Sequence, residues 1–122
     1  MSEGVLQTIL DSQARFQKEL ADNPELPGQV GMDTNAALGW TATAIMCEAA
    51  ELLDWTNWKR HKRSYGQPLT EEQKREGLIE VVDILHFMVN AFLLYGVTDE
   101  QEILRMYRAK HVVNHTRQDE EY

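Results

Sequence analysis

The chain has 122 residues, one cysteine (Cys47) and a formal net charge of −8. That length suits one domain with one modest core, the single thiol excludes an intrachain disulfide, and the acidic balance argues against a general nucleic-acid binder, whose surface would be basic. The opening MSEGVLQTIL lacks the basic and apolar regions of a signal peptide. No uninterrupted apolar run is as long as a membrane span, Met88 to Leu94 coming nearest with Asn90 inside it. The expectation is a cytoplasmic protein with no membrane partner.

A first helix is predicted from about Val5 to Ala21, where Val5, Leu6, Ile9, Leu10, Phe16 and Leu20 recur at helical spacing, although Asp11 to Arg15 weakens the stripe. Asn23-Pro24 and Pro27-Gly28 break it, and a loop rich in Gly, Asp and Asn follows to about Asn35. A second helix is predicted from about Ala36 to Lys62. Its last turns would carry the basic cluster Lys59, Arg60, His61, Lys62 and Arg63, either as cations complementing the helix dipole or as a clamp for a polyanion. Ser64 to Pro68 reads as a loop, and Thr70-Glu71-Glu72-Gln73 as an N-cap with a capping box. The third helix then runs to about Tyr95, with Gly96 as its C-cap. Thr98 would cap a fourth helix reaching roughly His115, and the polar tail 116–122 is expected to be extended or mobile by itself.

With no strand alternation or internal repeat, the predicted class is all-α, a single four-helix bundle-like domain over residues 1–122. The third helix is apolar nearly all round between Leu78 and Leu94. Such a helix is normally covered from several sides, more than a bundle this small supplies, so a homodimer or a dimer of dimers is expected, with burial inside one monomer as the alternative.

Two stretches carry the chemistry: Glu48-Ala-Ala-Glu51 and Glu80-Val-Val-Asp83. Residues three apart share a helix face, and here that face is apolar, with Ile45, Leu52, Ile79 and Leu85 among the neighbours. Carboxylates buried together repel, and a hard divalent cation such as Mg²⁺, or Mn²⁺ in its place, is the simplest remedy for an all-oxygen cluster. The plainer reading, solvated acids at the edge of an amphipathic face, weakens when two such pairs both fall in apolar runs. A di-iron bundle would need a Glu-x-x-His on each of two helices. Asp83 and His86 form one carboxylate–histidine pair, but Glu48 has no histidine a turn away. Cys47 lies in an acidic, apolar stretch that disfavours a thiolate, and no Gly-rich phosphate loop is present. Metal-assisted hydrolysis of a polyanion is the reaction class that remains.

These residues resemble the all-α nucleoside triphosphate pyrophosphatases, the superfamily of MazG-like enzymes, and most of all its dimeric dUTPase and dCTPase branch. WTATAIMCEAAELLDWTNWKRHK is similar to that branch's first acidic block with its following lysines, EVVDILHFMVN to its second, and YRAKHVVNHTRQDEEY to its C-terminal block. The resemblance implies hydrolysis of a nucleoside triphosphate to the monophosphate and pyrophosphate with Mg²⁺, two or more ions per site, and dUTP favoured over dCTP. A purine such as dGTP, or a non-catalytic helical interaction module that kept the fold, is the alternative. It implies Glu48, Glu51, Glu80 and Asp83 as metal ligands, with Glu48 or Glu51 handling the attacking water. Lys59 and Lys62 would meet phosphates, Asn90 would line the sugar–phosphate pocket, and Lys110, Asn114 and Arg117 would close over the phosphate chain with the tail. Gln17, Trp40 and His86 are the candidates for the nucleoside. Ala21 stands where that branch carries an asparagine for the base.

Overall fold

The computed structural model describes residues 4–25 and 33–121. Four helices account for its regular structure, α1 (Val5–Ala21), α2 (Thr34–Asp54), α3 (Glu71–Leu94) and α4 (Glu100–Glu121), and there is no strand among the described residues. The predicted Pro27-Gly28 break lies outside those residues.

Local chemistry sets most helix ends. The Asp33 carboxylate accepts from the Ala36 N–H at 2.8 Å and starts α2. Thr70 and Gln73 form the capping box predicted for α3, with Gln73 N–H donating to Thr70 Oγ1 at 3.1 Å and Thr70 N–H to Gln73 Oε1 at 2.9 Å. At the other end of α3, Gly96 adopts φ +83°. Its N–H donates to Leu93 O and the Val97 N–H to Phe92 O, both at 2.9 Å, which is the Schellman pattern. Val97 is buried beneath that turn.

Three boundaries depart from the sequence reading. Helix α2 stops at Asp54, not near Lys62. The Thr56 hydroxyl donates to Leu53 O at 2.7 Å, and Asn57 turns away to bond Gln67 O and the Gln73 side chain, each at 2.9 Å. Side chains that satisfy backbone groups in this way compete with helix continuation. The cluster Lys59–Arg63 therefore lies in an exposed turn segment, and the helix-dipole account of it no longer applies. The cap of α4 is Asp99, not Thr98: its Oδ1 accepts from the Gln101 N–H at 2.9 Å. The tail expected to be extended continues as helix to Glu121. No Gly or Pro occurs after Gly96 to interrupt it, and Thr116 donates to Val112 O at 3.1 Å within the same helix.

Helix α3 packs along α2 on one side and against α1 on another, while α1 also meets α4. Gly77 sits on α3 where α2 ends. A methyl at that position would lie 3.6 Å from Leu52 Cδ1 and 3.8 Å from Trp55 Cβ, ordinary contact distances. The starts of α1 and α4 are clasped reciprocally: Gln7 N–H donates to Glu100 Oε2 and Glu100 N–H to Gln7 Oε1, both at 2.8 Å. Gly4 belongs to this joint, because a side chain there would collide with the Glu100 carboxylate. Beyond it, α4 is exposed at every residue from Arg105 to Glu120.

Among the described residues the enclosed apolar core is small, formed by Leu10, Val89 and Val97 with the polar Thr41 and Asn90 beside it. Much of α3 stays uncovered within one chain, Leu78 being 64 % and Val82 49 % exposed. By length and composition alone α3 is apolar enough to cross a membrane, although polar residues interrupt every long apolar run in it. Glu80 and Asp83 lie in the middle of that stretch, where a lipid environment would penalise them.

Gly77→Ala should raise stability by about 0.5–1 kcal/mol, the helix-propensity gain of alanine over glycine in a helix interior, since the methyl meets only ordinary contacts. Denaturant unfolding of the two proteins checks this. A lower midpoint for the variant would mean that α2 and α3 cannot accommodate the methyl.

Candidate active site

Because α2 and α3 lie side by side, the acidic stretches face one another. Glu48 from α2 and Glu80 and Asp83 from α3 each place a carboxylate oxygen within 4.8 Å of the others. All three are half-buried. Glu48 Oε2 and Glu80 Oε2 are shut off from solvent and accept no hydrogen bond. Glu51 is outside this trio and exposed, at the rim one turn along α2 from Glu48, near enough for its charge to act on that carboxyl.

The crowding has an electrostatic signature. The Glu48 carboxyl is pushed up to about 7, first by the neighbouring Glu80 carboxylate, to which only a protonated Glu48 could donate, then by burial, then by the charges of Glu51 and Asp83. Convergent carboxylate oxygens, two of them buried and unsatisfied, are the donor set a hard divalent cation takes. The residues present fit such an ion.

A cleft of about 350 Å³ has Glu48 and Asp83 in its wall, together with Gln17, Trp40, His86 and Phe87. A neighbouring cleft of about 200 Å³ shares Gln17 and Trp40 and adds Thr41 and Asn90. Trp40 meets Phe87 edge to face, with ring centres 5.7 Å apart and planes at 71°. His86 Nδ1 lies 2.9 Å from Val82 O. A carbonyl can only accept, so Nδ1 carries the proton, and Nε2 of the neutral ring is left as an acceptor. Asn90 is buried and donates to Thr41 Oγ1 at 3.4 Å.

Thus Glu48, Glu80 and Asp83 come together, with Glu51 beside them, and Gln17, Trp40, His86 and Asn90 line the adjoining clefts. The remaining candidates do not join them within one chain. Lys59 and Lys62 stand on the exposed turn segment after α2, and Lys110, Asn114 and Arg117 on the exposed part of α4. None of the five lines either cleft.

Two residues of the site escaped the sequence reading. Gln13 is only 8 % exposed and lines the cleft that holds Glu48 and Asp83. Thr41, almost fully enclosed, is the partner of Asn90. A signal for Gln13 was available. It continues the series Leu6, Leu10, Gln17 and Leu20 at helical spacing, so an amide occupies the apolar stripe.

The raised Glu48 carboxyl fixes the sign of a pH effect. Between its ordinary value of 4.5 and about 7 the folded chain holds a proton that the unfolded chain has released. Stability therefore falls as pH rises through that window. Thermal melts in EDTA should give a lower Tm at pH 8 than at pH 5, Glu48→Gln should flatten the trend, and millimolar Mg²⁺ should raise Tm more at pH 8. A metal-free Tm that rises over the same range, identically in both proteins, would contradict the crowded arrangement.

Residues 5–100 match the family model described as dUTPase. A dCTP pyrophosphatase of Enterobacteria phage LZ5 is 35% identical over 72 residues, covering 53% of this chain and 41% of that relative, so the chain spans well under half of the curated protein it matches. No solved structure matches the chain significantly. The match takes in α1, α2 and α3 entire, and with them the acidic cluster and both clefts: the chain belongs to the dUTPase family, in its all-α form.

Proposed function

We propose that this chain hydrolyses a deoxynucleoside triphosphate to the monophosphate and pyrophosphate with Mg²⁺, dUTP being the first-choice substrate and dCTP the second. The observation that carries the reading is the meeting of Glu48, Glu80 and Asp83, two of them with unsatisfied buried oxygens, in and beside a cleft lined by amides and aromatic rings. The family match and the phage dCTP pyrophosphatase support the same class of reaction.

Glu48, Glu80 and Asp83 would hold the ions, with Glu51 at the rim. Divalent cations supply polarisation of a phosphoryl oxygen and a lower pKa for water. Of the two α2 acids, Glu51, the one outside the trio, would accept the proton of the attacking water. Gln13 and Gln17 face the space a base would take. A carboxamide offers a donor and an acceptor side by side, while uracil presents O4 as an acceptor and cytosine N4 as a donor. Either pyrimidine can therefore be read by the same amide in one of two orientations, and the groups fixing that orientation decide between them. Trp40 and Phe87, packed edge to face, supply apolar contact beside those amides.

Lys59, Lys62, Lys110, Asn114 and Arg117 are the reserve of polar and cationic groups for the phosphates, to be brought in on substrate binding or from a second copy. The uncovered apolar length of α3 is the surface for that copy, in a homodimer or a dimer of dimers.

The test is a panel of the common dNTPs and NTPs plus dUTP, assayed with Mg²⁺ for released pyrophosphate. A pyrimidine deoxynucleotide should be turned over fastest, and Glu51→Gln should lower kcat by about 100-fold or more with an unchanged circular dichroism spectrum. If Glu51→Gln matches the parent rate on every nucleotide, the assignment fails. Sedimentation equilibrium should separately give at least a dimer, shifted toward monomer by Leu78→Lys. A monomeric parent would leave α3 without the proposed partner.

A further inference from the structure

Outside the acidic site, α4 carries a second constellation that the proposed hydrolysis does not use. Tyr107, His111 and His115 recur every fourth residue and so lie along one stripe of the helix. The Tyr107 and His111 rings are stacked, with centres 6.0 Å apart and planes at 16°. His111 and His115 meet edge to face, with centres 4.9 Å apart and planes at 76°. All three residues are exposed.

Two imidazoles one helical turn apart are the donor pair that His-Glu-x-x-His helices present to zinc. Here the sequence is His111-Val-Val-Asn-His115. Both ring donors are kept, and the glutamate that would activate water is replaced by Val112, so the pair is equipped to bind and not to hydrolyse. The ligand type also separates this stripe from the acidic cluster: carboxylate oxygens suit Mg²⁺, whereas imidazole suits Zn²⁺, Ni²⁺ and Cu²⁺.

We propose that His111 and His115 chelate one borderline-soft divalent cation of the Zn²⁺, Ni²⁺ or Cu²⁺ class on the exposed face of α4. The remaining coordination positions are open to water or to a ligand from another molecule. Binding across one turn would favour the helical form of this segment, because the helix keeps the two rings adjacent, with centres 4.9 Å apart. Lys110, Asn114 and Arg117 occupy the neighbouring stripe, on the order of 100° round the helix from the imidazoles. A bound cation would therefore fix the presentation of those three side chains as well.

The experiment titrates NiCl₂ and then ZnCl₂ into the untagged 122-residue chain by calorimetry, with excess Mg²⁺ present to satisfy the carboxylates. The imidazole proton signals are followed by NMR. One equivalent should bind and perturb the rings of both His111 and His115. His111→Ala and His115→Ala should each weaken binding at least tenfold, and the double variant should be little worse than either single one, because a chelate is lost with its first donor. His61→Ala should bind as the parent does. These positions are exposed and distant from the core residues, so circular dichroism should report intact folds. Parent-like affinity in either single variant, loss of binding in Glu48→Gln instead, or no binding by the parent would each overturn the proposal.

Discussion

The structure turns on a repulsion that the helices are made to hold. Packing α3 against α2 covers Val89, Thr41 and Asn90 and brings Leu52 and Trp55 down onto Gly77. The same packing forces Glu48 toward Glu80 and Asp83. Among the described residues no cationic side chain relieves this at the buried oxygens of Glu48 and Glu80, and only a proton retained on Glu48 does so in part. A like-charge cluster kept in place by surrounding apolar contacts is a common form of functional compromise, in which a site is preorganised at the expense of stability. The cost falls at a place where a ligand of opposite charge would remove it.

The surroundings of the acids extend that logic. The described core of the single chain is small, and much of α3's apolar surface faces outward. The polar groups that are enclosed, Gln13, Thr41 and Asn90, sit at the clefts next to the acids and not at random through the interior. Buried amides and hydroxyls are costly unless they find partners. Their concentration beside the clefts means that a bound molecule with its own donors and acceptors has groups waiting to meet it.

Much of this was legible from residue order because the signals were local. The box of Thr70 and Gln73 and the turn at Gly96 involve residues a few positions apart, and both ends of α3 follow from them. The acidic pairs were visible for the same reason. The end of α2 was hidden because Asn57 finds its partners at Gln67 and Gln73, contacts that no window of helical periodicity contains. Three residues along a helix leave a lateral offset of about 60°, so the spacing of Glu48 and Glu51 identified a shared face without revealing that only Glu48 joins the α3 acids. Gln13 was passed over because a polar residue inside a stripe reads first as a defect in the pattern. The membrane-like composition of α3 does not show as an unbroken apolar run, since Glu80 and Asp83 break the run and barely alter the average.

The clasp between Gln7 and Glu100 has a mechanical consequence. It rivets the root of a long projecting rod to the first turn of the helix whose later turns carry Gln13 and Gln17. Each helix supplies the other with an acceptor for an N-terminal N–H that its own turns cannot reach, so releasing one root would unpair both.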